Sequence, residues 1–121
     1  MNDKTKNYDL EERTSVFSEN IIDLCRSIEK NIITRPIINQ LMRSGTSVGA
    51  NYCEANNACS RKDFKNKIFI CKKESQETKY WLRLLKKSSL IKESEIGNLI
   101  QECQEFIFIF QKIINSLNKV Q

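Results

Sequence analysis

Only one proline and three glycines punctuate the 121 residues of this chain. They are Pro36, Gly45, Gly49 and Gly97. A β-sandwich or a βαβ fold needs turn residues every few positions between its strands, and this sequence does not supply them. Long elements joined by short connections are what remains, and the apolar residues recur at the 3.6-residue period of an amphipathic helix.

Four such segments follow one another. The first spans about 10–30, with Leu10, Phe17, Ile21, Leu24, Cys25 and Ile28 on one face. The second spans about 35–57, with Thr34 as its expected N-cap and Pro36 in the first turn, where an N–H would have no partner anyway. Ile37, Leu41, Val48, Tyr52 and Ala55 share its apolar face. The third spans about 61–87. Ser60 and Asp63 form a capping-box pattern at its start, and Phe64, Ile68, Cys71, Leu82 and Leu85 form its seam. The fourth spans about 95–118, with Glu95 suited to the positive end of the helix dipole and a broad face from Ile96 to Leu117. The run "FIFIF" at 106–110 looks like a strand in isolation, but the helical period on both sides is too long for one. Short connections make neighbouring helices antiparallel. The expected fold is all-α: an up-down-up-down four-helix bundle forming one domain over 10–119, preceded by a polar, frayed segment at 1–9.

Composition narrows the function. Histidine is absent, which removes the usual general base, the common nucleophile pairs and the commonest metal ligand. The five cysteines, Cys25, Cys53, Cys59, Cys71 and Cys103, are odd in number and form no CxxC, which argues against a disulfide framework or a zinc ribbon. No catalytic residues, no metal and no cofactor are expected. No apolar run is long enough for a membrane span and no signal peptide opens the chain, so a cytoplasmic protein is expected. The net charge of +5 hints at an anionic partner.

That charge is unevenly placed. Between Arg61 and Lys87 lie ten Lys or Arg residues and three acids. Lys65, Lys72, Lys79, Arg83 and Lys86 all fall within about 40° of Arg61 on a helical projection. Asp63, Glu74 and Glu77 lie on the opposite side. Solvated helix faces usually mix signs, whereas this one segregates them. The pattern suits a rail that follows nucleic-acid phosphates; a merely solvated face and a surface for an acidic protein are the alternatives. Tyr80, at the edge of the basic arc, could stack on a base. Trp81 points elsewhere and suits packing against a neighbouring helix or subunit.

The fourth segment carries more apolar surface than one bundle face needs. Phe108 and Ile109 fall outside its main arc, as do Val16 and Ile22 in the first. Such an excess points to self-association, with Trp81, Phe108 and Ile109 as interface candidates.

The second segment contains "LMRSGTSVGANYCEA". Arg43, Ser47, Asn51 and Glu54 line up as a polar stripe there, serving either as an internal register-fixing network or as an interface. The charges of Arg43 and Glu54 could neutralise one another through Ser47 and Asn51. Gly45 and Gly49, each costing about 1 kcal/mol against alanine in a helix, imply close approach of another helix.

"QLMRSGTSVGANYCEA" followed by "SRKDFKNKIFICKKESQETKYWLRLL" resembles the bacterial rRNA intervening-sequence proteins, which are encoded within insertions in large-subunit rRNA genes and elsewhere. Leu41, Arg43, Ser44, Ser47, Val48, Ala50, Asn51, Glu54, Ala55, Ser60, Arg61, Asp63 and Phe64 carry the pattern, and the resemblance extends over about 10–118. Cys53 and Cys59 depart from it and read as incidental small apolar residues. The resemblance implies a left-handed four-helix bundle assembled as a pentameric ring. A more distant class of similar fold, the accessory proteins of diversity-generating retroelements, implies by analogy a nucleic-acid partner and a reverse transcriptase. Together these readings lead to a non-catalytic homo-oligomer that binds RNA or DNA through the third helix, or alternatively to a scaffold for an acidic or polymerase-type protein.

Overall fold

The computed structural model describes residues 9–119. Four helices account for nearly all of them: α1 Leu10–Ser27, α2 Thr34–Asn56, α3 Arg61–Ser88 and α4 Glu93–Lys119. No strand occurs among the described residues, and "FIFIF" is helical. Of the segment expected to fray, residues 1–8 lie outside the described range.

Cross-helix contacts fix the topology. Glu11 accepts from Asn56 at 2.8 Å, and Gly45 and Gly49 lie against Ile21 and Thr14, so α1 and α2 run antiparallel. Lys67 meets Glu54 and Arg43 reaches Glu74, which sets α3 antiparallel to α2. Lys72 donates to Gln111 and Lys79 to Gln104, which reverses α4 against α3. Helices pack in chain order and α1 closes on α4, giving the four-helix bundle. Its centre is aromatic and aliphatic. Phe17 meets Phe106 edge-on at 5.2 Å, Phe106 stacks with Phe110 at 6.0 Å, and Ile21, Leu41, Val48, Ile68, Leu82, Leu85, Ile96 and Ile114 fill the space around them.

Local chemistry sets the helix ends. α1 stops at Ser27, three residues before the expected boundary. Ile28 turns extended, and the Lys30 ammonium comes back to the carbonyls of Cys25 and Arg26 at 2.6 and 3.3 Å. The expected N-cap of α2, Thr34, lies inside the helix and has a different role. Asn31 Oδ1 accepts from the N–H groups of Ile33 and Thr34, both at 2.9 Å, while Thr34 Oγ1 accepts from Asn31 N–H at 3.0 Å. This is a reciprocal capping box with Thr34 where a Glu or Gln usually stands. Ser60 caps α3 as expected, accepting from Asp63 N–H at 3.0 Å. α4 begins at Glu93, two residues early, after Lys92 breaks the chain with a φ of 67°.

The glycines of α2 are points of close helix approach. A Cβ at Gly49 would lie 3.2 Å from the Thr14 carbonyl oxygen, and one at Gly45 would lie 3.0 Å from two Ile21 carbons. Gly97, in contrast, has nothing within 4 Å of a Cβ position.

Candidate nucleic-acid interface

The basic residues singled out on α3 lie along its edge with α4. Arg61 donates to the Leu117 carbonyl at 2.6 Å, and Lys65 donates to Asn118 Oδ1. Lys72 donates to Gln111 Oε1 at 2.6 Å, and Lys79 to Gln104 Oε1. Lys65, Lys72 and Lys79 thus pair with Asn118, Gln111 and Gln104, rung by rung, at seven-residue intervals on both helices. Two helical turns separate successive rungs, about 10.5 Å. The sequence pattern revealed the lysines but not their partners.

All three rung partners are neutral amides. They hold the ammonium groups in line without cancelling their charge. Arg83 and Lys86 continue the rank, exposed, with no hydrogen-bond or ion-pair partner among the described residues.

The acids are engaged elsewhere. Glu74 and Glu77 turn toward α2, where Arg43 reaches both, at 3.4 Å to Glu74. Asp63 stays at the cap, its carboxylate accepting from Cys59 N–H at 3.3 Å. On α4, Glu102 and Glu105 turn toward α1 and take Arg13, with Arg13 Nε 2.9 Å from Glu102. Along the rungs from Lys65 to Lys79 the α3–α4 edge is left with one sign of charge, and a one-signed surface concentrates anions.

The polar stripe of α2 divides in two. Its ends do not neutralise each other, because Glu54 pairs with Lys67 at 2.8 Å and Arg43 with Glu74 and Glu77. Two turns or more of helix separate the two ends, whereas α3 brings an opposite charge directly beside each. Its middle residues bond their own backbone: Ser47 donates to the Arg43 carbonyl at 2.6 Å and Asn51 to the Ser47 carbonyl at 2.8 Å. Beneath them the Ser44 and Thr78 hydroxyls meet at 3.0 Å, fully buried between α2 and α3. Trp81 is half-buried on the same side, its indole N–H donating to Glu77 at 3.1 Å. That bond and the Arg43 guanidinium hold the Glu77 carboxyl below its ordinary range.

Of the apolar interface candidates, Phe108 is 64% exposed, while Trp81 and Ile109 pack partly on the core. Sequence reasoning missed Arg13, which joins α1 to α4 and lies 5.0 Å from the Phe106 ring centre. It also missed four exposed aliphatics, Ile32, Ile33, Leu90 and Ile91, in the two loops at one end of the bundle.

The thiols are free. Burial pushes Cys25 up to about 11 and Cys71 and Cys103 to about 12, so these three stay protonated. Cys59 is exposed rather than packed as a small apolar residue. No group of three His, Cys, Asp or Glu residues among those described could hold a metal, and no described helix is long and apolar enough to cross a membrane.

Among curated proteins none matches this chain. A solved structure from Bacteroides thetaiotaomicron, a protein of unknown function from the S23 ribosomal protein family, is similar in sequence and fold. It is 32% identical, with a TM-score of 0.76, and the match covers 86% of this chain and 96% of that one. A family model described as 23S rRNA-intervening sequence protein matches residues 6–112, most of α1 to α4. With that match spanning the bundle, including the α2 stripe and the whole basic rank of α3, the chain belongs to the 23S rRNA-intervening sequence protein family.

Proposed function

We propose that this protein is a non-catalytic homo-oligomer, a pentamer, that binds RNA or DNA through the phosphate backbone along α3. The observation carrying this reading is the rank of Lys65, Lys72 and Lys79 held by neutral amides of α4. A lysine facing a carboxylate must give up that partner before it can meet a phosphate. A lysine facing an amide keeps its full charge and has already lost part of its rotamer freedom. Arg61, Arg83 and Lys86 extend the rank along the whole helix.

The assembly rests on the family resemblance and on apolar surface that a lone chain leaves exposed away from the basic rank, such as Val16 on α1. A second reading, a scaffold for a polymerase-type protein, draws on Ile32, Ile33, Leu90 and Ile91 at the bundle end.

A titration of labelled RNA and DNA against the protein at several salt concentrations tests the first reading. The logarithm of affinity should fall with the logarithm of salt at a slope of about −4 to −5 if all six basic residues meet phosphates. Reversing Lys65, Lys72 and Arg83 to Glu should abolish binding with the helical circular dichroism unchanged. No binding at low salt overturns the reading, and a partner captured from nuclease-treated lysate by the reversed variant supports the second. A monomer in light scattering at micromolar concentration overturns the ring.

A further inference from the structure

All three exposed aromatic rings among the described residues lie on the face that carries the basic rank. Phe69 is 46% exposed, Tyr80 53% and Phe108 64%. Helical spacing puts Phe69 and Tyr80 on one stripe of α3 with Lys62, Lys73 and Lys87, about 60–100° outward from the line of Lys72 and Lys79. The antiparallel rungs place Phe108 on the α4 flank, between Gln104 and Gln111. Rings therefore stand on both sides of the ammonium line. Phe69 lies between the Lys65 and Lys72 rungs, Phe108 between the Lys72 and Lys79 rungs, and Tyr80 beside the last.

Beside Tyr80 the surface is concave. A cleft of about 360 Å³ is lined by Gln76, Lys79, Tyr80, Arg83, Lys86 and Ile100. Its volume falls in the range of small-ligand sites. Three cations, an aromatic face and one aliphatic side chain suit a phosphate joined to a flat ring. The Tyr80 ring is braced edge-on by Trp81, with ring centres 5.0 Å apart.

A duplex hides its base faces inside the stack, so rings on this surface would gain nothing from one. A single strand offers both chemistries together: phosphates for the lysines and unstacked bases for the rings. We propose that the α3–α4 face binds single-stranded nucleic acid, with one nucleotide in the Tyr80 cleft, its base stacked on Tyr80, and neighbouring bases on Phe69 and Phe108. This rests on the phosphate reading above and adds the strandedness and the base contact.

The test compares three 12-mers: oligothymidylate, the same backbone with abasic sites, and a duplex. Wild type should bind oligothymidylate more tightly than the abasic strand by at least about 5- to 150-fold, the factor expected for one stacked base. Tyr80→Ala should lose that factor on oligothymidylate and nothing on the abasic strand or the duplex. Tyr80→Phe, which keeps the ring, should restore it. Trp81 is the sole tryptophan, so its emission should change on oligothymidylate binding and not on binding of the abasic strand. Equal affinity for the thymidylate and abasic strands overturns this inference and leaves phosphate binding standing. A Tyr80→Ala variant that weakens the duplex equally, or that dissociates the oligomer in light scattering, also overturns it. No binding by any of the three overturns the phosphate reading as well.

Discussion

The Lys72 ammonium lies 2.6 Å from Gln111 Oε1, an acceptor without charge, and Lys79 repeats the arrangement with Gln104 one rung along. Gln111→Glu keeps the length and shape of that acceptor and adds a charge, at the loss of one exposed bond, from Gln111 Nε2 to Asn115 Oδ1. An ion pair forms in place of the amide contact, and the lysine is neutralised without being touched. Nucleic-acid affinity should fall and the salt slope should shrink by about 0.7 to 0.9. Fold stability should hold or rise by a few tenths of a kcal/mol, as for other exposed pairs. Fluorescence anisotropy over a salt series, alongside urea denaturation, separates the two effects. An unchanged salt slope would remove Lys72 from the set of phosphate contacts.

Two glycines in helix interiors should respond oppositely to alanine. At Gly97 the added Cβ meets nothing within 4 Å. The substitution should therefore stabilise the bundle by about 0.5–1 kcal/mol, through the reduced freedom of the unfolded chain and the better helix propensity of alanine. At Gly49 the Cβ would meet the Thr14 carbonyl oxygen at 3.2 Å, an atom of the α1 backbone that can yield only if the helix moves. Overpacking of this kind costs about 1–3 kcal/mol and outweighs the propensity gain. Urea midpoints for the two variants should move in opposite directions. A stabilised Gly49→Ala would mean α1 is free to shift away from α2.

What could be read from the chain and what could not divides along sequence distance. The Ser60–Asp63 cap and the amphipathic stripes are local patterns whose partners lie within a turn or two, so the periodicity exposed them. The α2 glycines could be read as contact points because two helix-weakening residues in five positions need a compensating neighbour. Arg13 and Glu102 lie 89 positions apart, and nothing local to either identifies the other. The rungs between α3 and α4 are an intermediate case. Gln104, Gln111 and Asn118 repeat at seven residues like Lys65, Lys72 and Lys79, but amides on a helix surface are ordinary until the facing lysines are in view. The sequence offers Thr34 as the cap of α2, but Asn31, three residues earlier, takes that role, and Thr is an uncommon partner in a capping box. Of the aromatics flanking the rank, Tyr80 could be read from its place at the edge of the basic arc, whereas Phe108 was hidden by the apolar excess itself, since an exposed ring suits an interface as readily as a base platform.

Glu77 links the α2–α3 edge to pH. Its carboxyl is held below the ordinary range first by the Trp81 indole N–H and then by Arg43. A carboxylate depressed in the folded state contributes stability that is fully present above its unfolded pKa, about 4.3. That contribution is lost as pH falls through the lower folded value. Stability should therefore be level from neutral pH down to about 5 with respect to this group and decline below about 4. The side chain is about a third exposed, 35%, so solvent screening keeps the decline modest. Trp81 emission should shift over the same acid range as its hydrogen-bond acceptor takes a proton. Glu77→Gln presents a carbonyl that does not titrate, and should remove the acid shift in emission. Persistence of the shift in that variant would assign it to another group.

The five thiols should separate into kinetic classes. Cys59 is exposed and Cys53 half-buried, whereas Cys25, Cys71 and Cys103 are buried in the bundle. Burial raises Cys25 to about 11 and Cys71 and Cys103 to about 12. At pH 8 the thiolate, the reactive form, is then about a thousandth or less of each buried population. A disulfide reagent such as dithionitrobenzoate should label Cys59 rapidly and Cys53 more slowly. The remaining three should stay silent until denaturant opens the helices, when five equivalents react. Cys59→Ser should abolish the fast phase and leave the rest unchanged, since Cys59 contributes only its backbone N–H to the α3 cap, donated to Asp63. Rapid labelling of all five in the native protein would mean that α1, α3 and α4 part often enough to admit the reagent, which a core built on Phe17, Phe106 and Phe110 should prevent.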